Sequence, residues 1–296
     1  MLDGTRVTHP DWPTFVRESW EKRPAILWDT GAGLCDEAAI LAALHDAGRQ
    51  IRDGSIRDHR DVTYHSGAAV VVDAAPYLPV ADETSFEAYL GRLARSSTAQ
   101  EFTLLINNFQ QFSLPLALRM RLFMRGLFEA LGTLPAGMVS SHLMIARYTT
   151  SPFGVHKDPN SVFTFVMRGD KILRVWPFEA LADQTRQPFA RHRQLNLYDF
   201  DYRPFRDISV PLHGPPGSIL YWPSTYWHVG ESDGQAVHVS LHLTCDLHSE
   251  PRGELVDLLR QYVDDTRTEA DWEDAYQVDL AVANGPLRLP EPLVKA

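Results

Sequence analysis

The chain has 296 residues, 44% of them hydrophobic and 22% charged, and a formal net charge of −10. This length can bury a sizeable core, the composition is typical of a globular protein, and the acidic balance argues against a nucleic-acid-binding surface. No apolar run approaches the ~20 residues that a membrane span needs, and residues 1–13 lack the apolar core of a secretory signal. The two cysteines, Cys35 and Cys245, lie far apart and suggest no disulfide framework. We therefore expect a cytoplasmic protein that binds neither nucleic acid nor membranes.

The first third of the chain has a mixed α/β pattern, in which four stretches repeat apolar residues at spacings of three and four. This periodicity predicts amphipathic helices, and Ser85 is a typical residue for a helix start. The predicted helices are Trp12–Lys22, Asp36–Ala47, Ser85–Arg95 and Leu114–Leu131.

From about Gly137 the pattern changes to short apolar runs separated by Gly, Pro, Asp and Asn. Many short strands with turn residues between them are typical of an antiparallel sandwich or barrel. The predicted strands are Val139–Tyr148, Val162–Met167, Lys171–Trp176, Ile219–Trp222 and Ala236–Thr244. The polar, arginine-rich stretch Ala180–Pro211 is predicted to be mostly a long loop or insertion.

A helical pattern returns after Asp246, at Glu254–Tyr262 and Thr268–Tyr276. These helices could cap the barrel or form a homodimer contact. No repeat or long flexible linker interrupts the sequence, so we expect one compact unit with additions at both ends. We predict an N-terminal α/β region over residues 1–136 that packs on the barrel, a catalytic β core over 137–248, and a C-terminal helical extension over 249–296.

Three residues form a candidate metal site. In an extended backbone alternate side chains share a face, so His156 and Asp158 can both reach one point. A third ligand, His228, follows the predicted strand Ile219–Trp222. Two imidazoles and one carboxylate on one side of an ion leave the opposite positions open, which suits Fe(II) enzymes that bind a cosubstrate and O2 together.

The pattern alone is weak evidence for a metal. His59-Arg60-Asp61 also has the His-x-acid form and is more typical of a solvated, charge-rich loop. The alternative for His156 and Asp158 is a turn histidine with an Asx turn, and for His228 a core histidine in an aromatic cluster. The sequence around these residues has to decide between the two interpretations.

Three stretches around the candidate site resemble JmjC/cupin-type oxygenases. His156–Pro177, "HKDPNSVFTFVMRGDKILRVWP", resembles the iron-binding strand pair of JmjC-type hydroxylases. Gly214–Ser232, "GPPGSILYWPSTYWHVGES", is similar to the family pattern around the second iron histidine. Phe15–Leu27, "FVRESWEKRPAIL", resembles the first segment of cupin-like oxygenases. The likeness is greatest to the asparaginyl and ribosomal-protein hydroxylases of this family.

The resemblance implies a fold, a metal and a reaction. The fold is a double-stranded β-helix, a jelly-roll that is mainly β with helical elaborations, and the cofactors are Fe(II), 2-oxoglutarate as cosubstrate, and O2. The resemblance makes His156, Asp158 and His228 both the iron ligands and the catalytic residues. The reaction hydroxylates a C–H bond and releases succinate and CO2. The substrate is a peptide or protein side chain, or an amino-acid-derived small molecule.

Lys171 is the candidate for holding the cosubstrate. It lies fifteen residues after His156, across the turn at Gly169. In the family a Lys or Arg at this position binds the distal carboxylate of 2-oxoglutarate, because a dicarboxylate inside a barrel needs a buried cation. The alternative is a surface lysine at the far side of a hairpin.

Other candidate cosubstrate contacts follow from strand alternation and from proximity to the first motif. Ser240 and His242 share one face of the last strand, which lines either a polar cavity or the solvent. Thr164 follows the first motif on the next strand. Asn160 lies just after the motif and is either a contact of the cosubstrate or substrate, or a turn residue.

One position departs from the family pattern. Related hydroxylases often carry a cosubstrate-binding Thr three residues before the first histidine, where this chain has Phe153. Another group has to replace the hydroxyl of the family threonine, and the candidates are Tyr148, Ser151 and His142.

Two other functions are compatible with the sequence. A metal-binding cupin enzyme that does not use 2-oxoglutarate would leave Lys171 dispensable. A non-catalytic cupin binding module would bind no iron, and His228→Ala would then affect stability alone.

Overall fold

The computed structural model describes residues 11–28, 34, 36–54, 61–71, 73–96, 100–133, 139–185, 194–197 and 199–245. Its α-helices are α1 (Trp12–Glu18), α2 (Glu37–Arg52), α3 (Phe86–Ser96) and α4 (Leu114–Leu131). Its strands are β1 (Ala25–Trp28), β2 (Val62–Ser66), β3 (Ala69–Val71), β4 (Phe102–Ile106), β5 (Val139–Arg147), β6 (Val155–Lys157), β7 (Ser161–Arg168), β8 (Lys171–Pro177), β9 (Leu195–Leu197), β10 (Val210–Gly214), β11 (Ser218–Trp222), β12 (Tyr226–Glu231) and β13 (His238–Cys245). None of the helices in these ranges has the length and apolar character that a membrane crossing requires.

Local signals account for the helix ends. The Asp36 side chain accepts a hydrogen bond from Ala39 N and caps α2, and the Ser113 hydroxyl does the same for Leu116 N in α4. Helix α4 ends at Gly132, whose φ of 69° suits glycine. Helix α1 stops at Glu18, before its predicted end, and α2 runs five residues beyond its predicted end at Ala47.

The strands form two antiparallel sheets. The large sheet has the order β1-β11-β7-β13-β5-β4-β2-β3, and the small sheet has the order β10-β8-β12-β6-β9. All recorded strand pairs are antiparallel. The prediction of a mainly β jelly-roll with helical elaborations is therefore confirmed.

Alternation along the strands of the large sheet separates two environments. Phe163, Phe165 and Leu241 point to the face that packs against apolar side chains of the helices, such as Leu44 and Leu127. Their neighbours in sequence point the opposite way, towards the small sheet.

An apolar layer joins the two sheets through β7 and β11 of the large sheet and β8 and β10 of the small one. Its buried residues are Val162, Val166, Leu173, Val175, Leu212, Leu220 and Trp222. The polar residues of the same inner face therefore line the space between the sheets.

The region before residue 137 contributes more than helices. Strands β1 to β4, which the sequence analysis did not predict, are hydrogen-bonded members of the large sheet. They are three to five residues long, too short for periodicity to identify. The division of the chain at residues 136 and 248 stays a prediction.

The described residues of the stretch Ala180–Pro211 contain more regular structure than predicted. It contains β9 and the start of β10, and a 3-10 helix spans Arg203–Ile208. Strand β9 is recognisable only through its partner, because it pairs with β6 along three residues. The predicted helices Glu254–Tyr262 and Thr268–Tyr276, and the homodimer contact assigned to them, lie outside the described residues.

Candidate metal centre

The structure brings His156, Asp158 and His228 together on the small sheet. His156 on β6 is the direct pairing partner of His228 on β12, and Asp158 follows β6 immediately. One ligand atom from each side chain lies within 4.8 Å of the others. The Nε2 atom of His228 is 3.5 Å from Oδ2 of Asp158, and the two imidazole centroids are 4.1 Å apart.

The protonation states of the trio suit a metal ion. Nδ1 of His156 lies 3.1 Å from the carbonyl oxygen of Gly154, which can only accept, so Nδ1 is the donor in this contact and Nε2 is the nitrogen left for a metal. Burial and the neighbouring His156 lower the pKa of His228 to about 3, so its imidazole is neutral. Burial opposes ionisation of Asp158, but the nearby histidines, His228 first, keep its pKa below the ordinary value.

The donor set of the trio also fits a metal ion. Nε2 of His228 is the ring nitrogen beside Asp158, while Nδ1 is buried without a hydrogen-bond partner among the described residues. Two imidazoles and one carboxylate form the donor set that a first-row transition metal such as Fe(II) accepts with positions left open. The residues therefore fit a metal ion.

Lys171 lies in the same space between the sheets, at the start of β8. Its side chain is 1% exposed, and its ammonium donates to Oγ of Ser240 at 2.9 Å and to Sδ of Met144 at 3.5 Å. Burial lowers its pKa to about 7. Among the described residues no carboxylate forms an ion pair with Lys171, so the cation has only neutral acceptors.

A chain of hydrogen bonds leads from Lys171 across the inner face of the large sheet. Because Lys171 donates to Ser240, the Ser240 hydroxyl is free to donate to Nε2 of His242 at 3.0 Å. Nδ1 of His242 then carries the proton and donates to Oγ1 of Thr164 at 2.8 Å. The structure thus places Lys171, Ser240, His242 and Thr164 in one connected polar group.

Asn160 is placed apart from that group, in the turn between β6 and β7. Its Oδ1 atom is buried and has no hydrogen-bond partner among the described residues. The Asn160 side-chain amide is therefore available to a ligand, but no hydrogen bond among the described residues links it to the Lys171 group. Its role stays a prediction.

Residues 127–250 match the family model of the JmjC domain. The match covers less than half of the chain. Every predicted site residue, from His156 to His242, lies within it. No curated protein matches the chain.

Solved structures similar to this chain include three of YcfD from Escherichia coli. One, described as a ribosomal oxygenase in complex with cobalt and succinic acid, is 15% identical with a TM-score of 0.49 and covers 98% of this chain and 65% of that chain. Another, in complex with cobalt and 2-oxoglutarate, is 16% identical with a TM-score of 0.46 and the same coverage. A third is 15% identical with a TM-score of 0.48 and covers 96% of this chain and 65% of that chain. This chain therefore spans less than two thirds of the YcfD chains it matches.

The structure distinguishes the three candidates for the hydroxyl that Phe153 cannot supply. The Tyr148 hydroxyl donates to Sδ of Met144 at 3.8 Å, the same sulfur that Lys171 contacts. His142 lies near enough to Asp158 to affect its pKa. Ser151 instead accepts a hydrogen bond from the Phe153 backbone at 3.4 Å. Tyr148 therefore lies near Lys171, in the space between the two sheets.

A buried polar cluster, which the sequence patterns do not predict, connects the metal-binding segments to the N-terminal segment. The Glu21 carboxylate accepts hydrogen bonds from the hydroxyls of Ser161 and Ser224, the latter at 2.9 Å. Lys157, which lies between His156 and Asp158 in the sequence and is fully buried, donates to the carbonyl of Ser224 at 3.2 Å. The cluster ties the N-terminal segment to the turn that precedes β12. A lysine between two metal ligands was the one signal available in the sequence.

A second missed group holds the 199–209 segment against the small sheet. The Glu231 carboxylate, three residues after His228, accepts hydrogen bonds from Arg174, Arg206 and Tyr202. Burial opposes its ionisation, but these donors, Arg174 first, lower its pKa to about 2. No local motif marks this glutamate, because its partners come from distant parts of the sequence.

Proposed function

We propose that this chain is an iron(II)- and 2-oxoglutarate-dependent oxygenase, most simply a hydroxylase. The observation that carries the proposal is the pairing, in one pocket of a JmjC domain, of a His-Asp-His cluster with a buried lysine that has no carboxylate partner among the described residues. The first fits a metal with open positions, and the second fits a dicarboxylate.

The residues take the following roles in the proposal. His156, Asp158 and His228 hold Fe(II), and Lys171 binds the distal carboxylate of 2-oxoglutarate. The pocket wall is completed by Thr164, Ser240, His242 and Asn160. When bound, the iron and 2-oxoglutarate activate O2, releasing succinate and CO2 and leaving a hydroxyl group on the substrate.

The chain's own contribution is orientation and the exclusion of water. The hydrogen bond from His156 Nδ1 to Gly154 fixes the ring and would leave Nε2 available to the ion. Trp222 is 2% exposed, and its ring lies 4.9 Å from that of His228, so it shields the site from solvent. The hydrogen-bonded chain from Lys171 to Thr164 holds His242 as the Nδ1-protonated tautomer. The pocket therefore has one arrangement of donors and acceptors before a ligand binds.

We further propose that the substrate is a peptide or protein side chain, or an amino-acid-derived small molecule, as the family likeness of the metal-binding motifs implies. The cytoplasmic location, the absence of a nucleic-acid or membrane partner, and a homodimer formed through residues after 248 complete the proposal. The dimer is tested by measuring the mass of the full chain in solution.

An anaerobic titration tests the oxygenase directly. Fe(II) and 2-oxoglutarate added to the full chain should produce a weak metal-to-ligand charge-transfer band in the visible region. The band should be lost in Asp158→Ala and retained in Asp207→Ala, a matched change at an exposed aspartate. A folded wild-type protein that binds Fe(II) without the band would favour a cupin enzyme that does not use 2-oxoglutarate.

The lysine separates the remaining alternatives. Lys171→Ala should raise the 2-oxoglutarate concentration needed for succinate formation. Full turnover by this variant would refute its role as the cosubstrate residue. A wild-type protein that binds no iron would indicate a non-catalytic module instead.

A further inference from the structure

His238 is a buried histidine that the proposed reaction does not yet use. It begins β13 on the same face as Ser240 and His242, and it is 1% exposed. Neither of its ring nitrogens has a hydrogen-bond partner among the described residues. Buried polar groups are almost always paired, so two orphaned nitrogens on one imidazole indicate that a ligand supplies the partner.

The surroundings of His238 belong to the Lys171 end of the pocket. Its ring meets the ring of Tyr148 edge-on at 4.7 Å between centroids. The turn that leads into Lys171 packs on it, because a Cβ atom at Gly169 would lie 3.1 Å from Cβ of His238. Gly169 also has a φ of 71°, so this close approach and the backbone conformation both require glycine.

The chemistry of this end of the pocket is that of an anion site. Lys171 and Tyr148 both donate to Sδ of Met144, which is a weak acceptor. Burial and the ammonium of Lys171 keep the pKa of His238 well below its ordinary value, so the neutral ring offers one N–H donor. Lys171 and Tyr148 therefore donate only to a thioether and a hydroxyl, and the N–H of the neighbouring His238 has no acceptor among the described residues.

We propose that His238 donates a hydrogen bond to the distal carboxylate of the cosubstrate, beside Lys171, and is thereby a specificity-determining residue for dicarboxylates. This inference rests on the proposed function, since it deepens the description of the same pocket. His238 contributes a fixed, directional donor, whereas Lys171 contributes the charge. Together they favour a 2-oxo acid with a second carboxylate over one without.

The test compares dicarboxylate binding in the full chain of wild type, His238→Leu and His238→Gln, with the exposed His213→Leu as a matched control. Succinate binding to the metal-free protein is measured by calorimetry, and 2-oxoglutarate and 2-oxobutanoate binding by anaerobic titration with Fe(II). Loss of a hydrogen bond to a charged group should weaken both dicarboxylates by about 10- to 100-fold in His238→Leu. Binding of 2-oxobutanoate, which lacks the distal carboxylate, should change by less than about threefold.

The other variants report on alternative explanations. His238→Gln keeps an N–H donor and should retain part of the affinity, and His213→Leu should retain all of it. His238→Leu should not lower the Tm of the ligand-free protein, because it removes two unpaired buried nitrogens.

Unchanged succinate affinity in His238→Leu would overturn the inference, and an equal loss for 2-oxobutanoate would show that His238 only maintains the pocket. If His238→Leu does not fold, His238→Gln decides: it should bind succinate more weakly than wild type, and an equal loss of affinity for 2-oxobutanoate would contradict the inference. A wild-type protein that binds succinate through His238 but gives no charge-transfer band would refute the oxygenase and support the carboxylate contact. A wild-type protein that binds no dicarboxylate would refute both.

Discussion

Replacing Lys171 with methionine is expected to stabilise the ligand-free protein while weakening its binding of 2-oxoglutarate. Methionine has a similar length but no charge, and Lys171 is 1% exposed with only Ser240 and Met144 as recorded acceptors. A buried ammonium without a counter-charge opposes folding, whereas the same ammonium binds an incoming carboxylate strongly. The two effects should therefore have opposite signs.

The magnitude follows from the pKa of Lys171. The fall from an ordinary value of 10.5 to about 7 corresponds to an unfavourable contribution of about 4 kcal/mol at pH 7. The hydrogen bond to Ser240 stabilises wild type by about 1 kcal/mol and is lost in the variant. The free energy of unfolding of Lys171→Met should therefore be higher by about 3 kcal/mol, which corresponds to about 5–10 °C in Tm. For a base whose pKa is lower in the folded state, the unfavourable contribution is complete below that pKa and fades as pH rises towards 10.5. By pH 9 about 2 kcal/mol should remain.

The assay is urea unfolding of metal-free wild type and Lys171→Met at several pH values from 6.5 to 9. Burial also lowers the pKa values of His238 and His242, which face Lys171, and the lysine ammonium lowers them further. Both histidines stay neutral over this range, so the difference between the proteins isolates the lysine. Lys22→Met, at an exposed lysine, serves as the matched control.

The same two proteins test the ligand side. Lys171→Met should bind 2-oxoglutarate at least about 100-fold more weakly than wild type. A variant less stable than wild type at pH 7, or a stability difference that does not change with pH, would refute the account of an uncompensated buried ammonium.

Three further predictions concern carboxylates around the metal centre. Asp158→Ala should lower Fe(II) affinity by at least about 100-fold, measured by competition with a chelator, whereas Asp207→Ala should not change it. Glu231→Gln should lower the free energy of unfolding by about 2 kcal/mol at pH 7. Because the pKa of Glu231 is lowered in the folded protein, this difference between wild type and variant should disappear as pH falls from about 4.5 to about 2. Equal acid sensitivity of the two proteins would contradict this prediction. Glu21→Ala should lower the free energy of unfolding by about 2 kcal/mol, because the Ser224 hydroxyl loses its acceptor. The same variant should bind Fe(II) more weakly, and an unchanged metal affinity would limit Glu21 to a structural role.

Local patterns were sufficient for much of the fold. Helix α4 has its predicted bounds, since Ser113 caps its start and Gly132 ends it. The strands β5, β7, β8, β11 and β13 begin and end within two residues of their predictions, because each alternates or runs apolar over several residues. Short strands such as β9 escaped, since three residues carry no measurable period and depend on pairing with β6.

Nearby residues in the sequence also determined part of the site. His156 and Asp158 are two positions apart in an extended segment, so backbone geometry alone puts them on one side. The hairpin from His156 to Lys171 is equally local, and its turn at Gly169 is visible as a glycine between two apolar runs. Such features are short in sequence separation and are set by dihedral preferences and alternation.

Only the tertiary structure decided what these residues face. His228 reaches His156 because β12 pairs with both β6 and β8, a contact across about 70 residues that no periodicity encodes. Packing of the two sheets makes Lys171 a buried cation and leaves both nitrogens of His238 without a partner among the described residues. The sequence by itself therefore determined which groups could bind a metal and a carboxylate. Folding determined their burial, and burial is what gives those groups their charge state and their affinity.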